Sequence, residues 1–256
     1  NFCLAFRWIK PQKYINFIPN LSKDCAYTWS PYKMIYALPI FAVILSFFGV
    51  FLFQPKSKQL LKLFLAFSGA FLLSVLIFEL FPELYEHQDP KQMGLFILLG
   101  ILLQIVLEFF SKGAEHGHVH LDTKSTKIPW MLFVSLSIHA FLEGIPVVNH
   151  HHLLYGIVIH KITIAVILSI FILKTNIKFY QALLVMTLFS IMTPLGSLFY
   201  SSYPLPPLWS SALSALVTGV LLHIATVILF ESSEGHSFNL RKILVIVLGI
   251  TTAYFL

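Results

Sequence analysis

Four ionisable residues occur close together within two apolar stretches of the sequence. His139 and Glu143 lie four residues apart in the stretch 135–146, and His160 and Lys161 follow across a short polar turn. On a helix, that spacing places the imidazole and the carboxylate one above the other on the same face. Ionisable groups in apolar segments cost several kcal/mol unless they are paired, hydrated or bound to a ligand, so these residues are candidates for function.

These residues are expected to meet if the two stretches form antiparallel helices. With a turn at 149–154, Glu143 lies about five residues before the turn and His160 about five residues after it, so at ~1.5 Å rise per residue they reach a similar depth. His139 lies one turn deeper. Imidazole and carboxylate ligands suit zinc and other first-row divalent metals better than calcium or magnesium. His139, Glu143 and His160 are therefore predicted to bind one divalent ion.

The segment just beyond Glu143 is predicted to break the helix. Gly144 and Pro146 lie there, and proline lacks a backbone N–H and clashes with a preceding carbonyl. Broken helices within a membrane are tolerated where they line a cavity or pack against protein. A second interpretation stays open, in which Glu143 only pairs with Lys161 and the histidines form hydrogen bonds. The Lys161 ammonium would also repel a second divalent ion, so we expect one ion at this centre.

The composition is that of a polytopic membrane protein. Hydrophobic residues make up 57% of the chain and charged residues 11%, with a mean hydropathy of +0.83, which excludes an ordinary soluble domain. The formal net charge of +6 is therefore interpreted through membrane topology and not as a sign of nucleic-acid binding. Cys3 and Cys25 precede the first apolar span and indicate neither a disulfide scaffold nor a zinc finger.

Apolar windows long enough to cross ~30 Å of hydrocarbon recur along the chain. They predict an all-α bundle of eight transmembrane helices, at 34–53, 62–82, 93–110, 128–148, 155–173, 179–200, 207–230 and 241–256. Residues 1–33 mix aromatic, basic and proline residues, which is typical of an interfacial or loose tail. The domain organisation is thus a tail at 1–33 followed by a membrane domain at 34–256.

Basic residues between the spans predict their orientation. The loops after spans one, three, five and seven contain Lys56, Lys58, Lys62, Lys112, Lys124, Lys127, Lys174, Lys178, Arg241 and Lys242. The opposite loops contain only Lys91, with Glu83, Glu86 and Asp89 beside it. By the positive-inside rule the first set of loops is cytoplasmic, which leaves both termini outside the cytoplasm. The basic residues of the tail favour the reverse orientation, but the interior loops outnumber them.

Further candidate metal ligands lie towards the predicted cytoplasmic side. The loop 111–127 alternates His116, His118 and His120 with small or apolar residues, and mobile imidazoles at this density bind a soft divalent cation and release it quickly. The other candidates on this side are Glu108, near the inner end of span three, and Glu231, at the end of span seven. The alternative is a solvated loop with incidental histidines.

Three other groups have equally balanced interpretations. The run 150–152 of three histidines, in the turn, either concentrates cations at the entrance or is a plain polar turn. Glu79 and Glu83, near the outer end of span two, either form an entry station or are carboxylates that reach the interface. His223, in span seven, is either a pathway residue or a hydrogen-bonded core histidine.

Taken together, these residues resemble the ZIP (Zrt/Irt-like) family of divalent-metal transporters over nearly all of 34–256. The resemblance rests on His139-x-x-x-Glu143-Gly144 and His160-Lys161, and it is supported by Glu79-Leu80-Phe81-Pro82-Glu83 and the His-rich loop. It implies that zinc, or related Fe(II), Mn(II) or Cd(II), is moved into the cytoplasm while one group of helices slides against a static scaffold. It also implies His139, Glu143 and His160 as central ligands, with the inner His loop and Glu231 as the exit region.

The chain departs from the commonest pattern of that family in span five. Many members have His-x-Ile-Pro-Glu, whereas this chain has His160-Lys161-Ile162-Thr163-Ile164, and Ala140 stands where many members have Asn. The His-Lys form resembles the branch of the family that has a single central site.

We therefore predict a multi-pass protein of the cell membrane that carries a divalent metal, zinc first, into the cytoplasm by alternating access. It is not expected to be an enzyme or to hold a cofactor, because the metal is the substrate. Its expected partners are the ion and the lipid bilayer, with a homodimer as a further expectation and no nucleic acid. The alternatives are an intramembrane metal-dependent hydrolase, in which zinc activates water, and a bundle that only senses metal. The sequence has no His-Glu-x-x-His motif to favour the hydrolase.

Overall fold

The described residues of the computed structural model form helices joined by short connections. They comprise 31–55, 57–86, 88–111, 130–148, 150–203, 205–231 and 240–256. In chain order the helices are α1 (Pro31–Phe53), α2 (Lys58–Val75, continued by the π-helical turn Leu76–Leu80 and the α-helical turn Phe81–Glu86), α3 (Pro90–Ser111), α4 (Trp130–Glu143, followed by the 3₁₀ turn Pro146–Val148), α5 (His151–Lys174), α6 (Phe179–Ser202), α7 (Pro207–Glu231) and α8 (Leu240–Tyr254).

Seven of these helices, α1 to α7, are long and apolar enough to cross a membrane, counted over the described residues. The prediction of an all-helical, multi-pass membrane protein is confirmed for this part of the chain. The predicted eighth span, 241–256, corresponds to α8, whose 15 residues fall short of the ~20 that a perpendicular crossing needs. The number of crossings and the location of the termini therefore stay predictions, and residues 1–30 of the predicted tail lie outside the described residues.

Local sequence signals account for the irregular part of α2. Pro82 has no N–H to donate to the carbonyl four residues earlier, and its ring crowds that carbonyl. The helix widens just before it, and the Phe81 N–H donates to the Leu76 carbonyl in a π-type bond. This π turn contains Glu79, at the end of α2 that the sequence predicts to lie outside. Such turns recur at functional sites.

The helices form two groups that meet around the centre of the bundle. In the first, α1 packs against α5 and α6, and α4 packs against α6; in the second, α2 packs against α7 and α8, and α3 packs against α7. Contacts of α2 with α5 and of α3 with α4 join the two groups. The polar side chains 139, 143, 160 and 161 are buried, and their contacts lie within the first group. Large apolar side chains such as Leu98 on α3 point outward, as expected of a lipid-facing surface.

Two helix pairs approach each other closely because glycine lies at their contacts. A Cβ added to Gly100 of α3 would lie 1.9 Å from the Leu216 carbonyl oxygen of α7, and one added to Gly219 would lie 2.0 Å from the Ile97 oxygen. The α4–α6 pair has the same arrangement, described below with the site. Small residues at such crossings let the backbones touch, which is how helices pack tightly in a membrane.

Candidate metal centre

Three potential metal ligands converge where α4 faces α5. The ligand atoms of His139, Glu143 and His160 all lie within 4.8 Å of one another, and each residue is 1% exposed. His139 Nε2 lies 3.4 Å from Glu143 Oε2, and the two imidazole rings are 5.9 Å apart and nearly perpendicular. The structure thus brings together the three residues that the sequence predicted to meet, and they form the one such group among the described residues.

The chain leaves α4 at the predicted break directly after Glu143. Gly144 and Ile145 donate their N–H groups to the carbonyls three residues earlier, at 3.2 and 3.1 Å, which tightens the last turn. The turn continues through Pro146 until α5 begins at His151. A Cβ on Gly144 would lie 2.0 Å from the Thr193 carbonyl oxygen of α6, so only glycine fits here. The break lets α5 return and bring His160 to the level of Glu143.

Lys161 forms an ion pair with Glu143 Oε1 in the same buried region. Its Nζ also lies over the Phe189 ring of α6, 4.7 Å from the ring centroid, a favourable position for a cation. The pairing that the second interpretation of the sequence required is therefore present. That interpretation also gave the histidines hydrogen-bonded structural roles, and neither nitrogen of His139 has a hydrogen bond within the described part of the chain.

Helix α6 supplies two hydroxyl groups that sequence reasoning missed. Thr193 Oγ1 donates to Glu143 Oε1 at 2.7 Å, and Ser197 Oγ donates to the Gly144 carbonyl at 2.6 Å. Both residues are completely buried. Their four-residue spacing puts them on one helix face, and two polar residues at that spacing in an apolar span are the signal that points to them.

The two oxygens of the Glu143 carboxylate have different surroundings. Oε1 accepts from the Lys161 ammonium and the Thr193 hydroxyl, whereas Oε2 faces the His139 ring. With both histidines neutral, the ammonium and the carboxylate cancel in formal charge, which is the tolerable state for buried ions. Oε2 and the imidazoles are left as a mixed oxygen and nitrogen donor set. That set suits zinc and similar divalent ions.

Of the remaining predicted ligands, Glu108 is the one whose side chain lies within the described part of the chain, and it does not join this group. Glu108 of α3 pairs with His223 of α7, with 2.8 Å between Oε2 and Nε2, so His223 is a hydrogen-bonded histidine of the α3–α7 interface. Glu231 is the last residue of α7, and its side chain lies outside the described part of the chain. His116, His118 and His120 fall within 112–129, which also lies outside the described residues.

The last turn of α2 and the residue just before α5 also contact each other. His150 Nε2 lies 3.2 Å from Glu83 Oε2, so the residue before α5 and the acidic end of α2 are adjacent. Glu83 is largely exposed there and His150 largely covered.

Comparison with known proteins gives two partial similarities, and no family model matches the chain. The chain is 29% identical over 168 residues to Protein zntD of Dictyostelium discoideum, covering 55% of this chain and 24% of that protein. It is 33% identical over 93 residues to Zinc transporter ZIP1 of Danio rerio, covering 33% of this chain and 30% of that protein. Part of the chain is therefore similar to a protein that is named as a zinc transporter, ZIP1. The chain spans less than a third of either relative.

These similarities support the predicted resemblance to the ZIP family at the level of the family. The branch with a single central site, inferred from His160-Lys161, stays a prediction. The name of the Danio rerio relative is that of a transporter, which fits the prediction that this chain is not an enzyme.

Proposed function

We propose that this chain carries a divalent cation, zinc in the first instance, across the bilayer through the centre formed by His139, Glu143 and His160. The observation that carries the proposal is the convergence of two imidazoles and a carboxylate within 4.8 Å, buried between membrane helices. Groups of this kind are costly at such a depth unless they serve a ligand or a pathway. The partial similarity to Zinc transporter ZIP1 supports the choice of substrate.

The donor set suits a cargo ion that must bind and leave. Zinc in structural sites is closed by four protein ligands, whereas three protein ligands leave one position for water or an exchanging group. The Lys161 ammonium, held against Glu143, supplies a resident positive charge that disfavours a second divalent ion nearby. The proposal is therefore one ion at a time at this centre.

Alternating access would follow from relative movement of the two helix groups. All three ligands belong to α4 and α5, which pack with α1 and α6, while α2, α3, α7 and α8 form the other group. Displacing the first group along the second would carry the ligands towards one membrane face and then the other. The proposed direction is into the cytoplasm, across the cell membrane, as the family resemblance implies. A homodimer is part of the same expectation.

The alternative of an intramembrane hydrolase lacks support in the centre. Zinc-dependent hydrolysis needs a general base beside the metal-bound water. Among the described residues, this group contains one carboxylate, and one of its oxygens is already held by Lys161 and Thr193.

Reconstitution of the purified chain into liposomes tests the proposal directly. We expect zinc to accumulate inside vesicles that contain the wild type, with His139→Ala and His160→Ala reducing the initial rate by at least ~10-fold because each removes one ligand of the ion. Both variants keep the Glu143–Lys161 pair, so they are expected to fold. Thr187→Val, which removes an α6 hydroxyl bonded within its own helix, is the control and should transport like the wild type.

The outcome that contradicts the proposal is equally specific. Zinc flux that is unchanged in both ligand variants would reject the centre as the transport site. Hydrolysis of a lipid or peptide without any cation flux would support the enzyme instead. Zinc binding without flux would indicate a sensor.

A further inference from the structure

One face of α6 contacts Lys161, Glu143 and the backbone of Gly144. Phe189, Thr193 and Ser197 follow one another at four-residue intervals, so they lie on one side of the helix. We call these three residues the α6 stripe. Phe189 is 2% exposed, and Thr193 and Ser197 are 0% exposed. The stripe therefore faces the interior of the bundle.

Each member of the α6 stripe contacts a different component of the centre. Phe189 lies under the Lys161 ammonium, Thr193 donates to Glu143 Oε1, and Ser197 donates to the carbonyl oxygen of Gly144. The stripe thus holds the counter-ion, the carboxylate and the backbone immediately after the carboxylate.

The direction of the Thr193 hydrogen bond is unusual for a threonine in a helix. Such hydroxyls commonly donate to the carbonyl three or four residues earlier in their own helix. Thr187, on the same helix, does so to Leu183, and Thr218 does so to Ser214 of α7, both at 2.8 Å. The Thr193 hydroxyl instead crosses to Glu143 of α4.

The backbone contact beneath the α6 stripe fixes this hydrogen bond in place. A Cβ on Gly196 would lie 1.9 Å from the Phe141 carbonyl oxygen, just as one on Gly144 would meet the Thr193 oxygen. With the two backbones touching, Thr193 has little freedom to move relative to Glu143.

We propose that Thr193 is a positioning residue that decides which oxygen of Glu143 meets the transported ion. Thr193 and Lys161 together occupy Oε1, so the carboxylate presents Oε2 alone to the ion and binds it through one oxygen. The remaining coordination position stays open to water, which speeds exchange of the ion. This inference rests on the proposed function, because it assumes that Glu143 is a ligand.

Substitutions at three threonines test the role of the hydroxyl. Thr193→Val removes the donor and keeps the shape, Thr193→Ser keeps the donor, and Thr218→Val removes a hydroxyl that is equally buried but bonded within its own helix. Thr187→Val is a second control on α6 itself. The purified chain is titrated with zinc against a chelating dye, and the zinc-loaded protein is measured by X-ray absorption.

We expect Thr193→Val to weaken zinc binding by about 10-fold or more, the size seen when a residue that orients a metal ligand is lost. The zinc affinity of Thr193→Ser should stay within about 3-fold of that of the wild type. Both controls, Thr218→Val and Thr187→Val, should bind zinc as tightly as the wild type. The absorption spectrum should count one carboxylate oxygen on zinc in the wild type. In Thr193→Val it should count more than one on average, because Oε1 then keeps only its bond to Lys161 and the less firmly held carboxylate turns towards the ion.

Two results overturn the inference. One is a Thr193→Val protein whose zinc affinity and oxygen count equal those of the controls while the wild type binds zinc at the three ligands. In that case the proposed function stands and Thr193 has only a packing role. The other is a His139→Ala protein that binds zinc as tightly as the wild type. That result contradicts the proposed function, and the inference falls with it. Failure of Thr193→Ser to restore binding counts against the hydroxyl as the cause.

Discussion

Glu143 of α4 is in contact with two other helices, α5 and α6, through its carboxylate, and the carbonyl of the next residue, Gly144, accepts a hydrogen bond from α6. Its side chain contacts His139 of its own helix, Lys161 of α5 and Thr193 of α6. Both members of the ion pair are 1% exposed in their side chains. Removing one partner of a buried pair leaves the other charge uncompensated, while removing both is often tolerated. Stability and ion binding at this centre are therefore separable by mutation.

A double-mutant cycle on the ion pair tests that separation. Without zinc, we expect Glu143→Gln to lower the free energy of unfolding by about 3–5 kcal/mol, because the Lys161 ammonium is left buried and unpaired. Lys161→Met should also destabilise, and the double variant should be more stable than either single variant. Denaturant unfolding in detergent measures all three, with the exposed Lys174→Met as the control. Simple addition of the two single effects would mean that the pair is not coupled.

At the scale of elements, the α4–α6 contact positions the centre because no side chain separates the two backbones. Gly144 and Gly196 each lie against a carbonyl of the opposite helix, so these helices cannot slide past each other without losing that fit. The Ser197 hydroxyl adds a hydrogen bond to the break after Glu143. Helices α4 and α6 therefore behave as one rigid support for the carboxylate.

An alanine scan of three glycines tests the support. We expect Gly196→Ala to lower the free energy of unfolding by about 1–3 kcal/mol or more, since the added methyl must push α4 and α6 apart, and to weaken zinc binding as Glu143 moves away from Thr193. Gly94→Ala in α3 should be neutral or stabilising by roughly 0.5–1 kcal/mol, because alanine is favoured inside helices. A Cβ at Gly94 has no atom within 4 Å, which makes it the matched control.

Gly100→Ala distinguishes a local effect from a general one. It introduces an equally severe clash, but at the α3–α7 contact. It should destabilise the protein without weakening zinc binding in the fraction that stays folded. Equal losses of zinc binding in Gly100→Ala and Gly196→Ala would mean that the α4–α6 contact has no special role.

At the scale of the molecule, the sequence predicted the helices and the convergence of three ligands, but not the role of α6. The spacing of His139 and Glu143 on one helix, and the length of the turn before His160, determine local geometry, so those residues could be paired from sequence alone. Which helix packs beside α4 depends on contacts between residues some fifty positions apart, such as Thr193 with Glu143. Periodicity carries no information about that choice. The Glu108–His223 pair was missed for the same reason.

Contacts between helix ends show which ends lie at the same face of the bundle. His150 meets Glu83, so α5 begins at the membrane face where α2 ends. The Phe78 ring of α2 lies 5.9 Å from the Tyr254 ring, so α8 ends near that same face. Phe51 of α1 contacts Phe179 of α6, which puts the end of α1 beside the start of α6. The end of α8 and the end of α2 at Glu86 therefore lie at the same face of the helix bundle.

Charge alone predicts whether that face lies outside the cytoplasm, and labelling tests the prediction directly. The basic loops after α1, α3, α5 and α7 predict that the end of α8 lies outside the cytoplasm. Single cysteines at Ser202, Leu256 and Asn176 are introduced after Cys3 and Cys25 are replaced by serine; all three positions are exposed. In intact cells with the chain at their surface, a membrane-impermeant maleimide should label Ser202→Cys and Leu256→Cys. Asn176→Cys should react only after permeabilisation. Labelling of Asn176→Cys alone in intact cells would contradict the predicted orientation and the inward direction proposed for the ion.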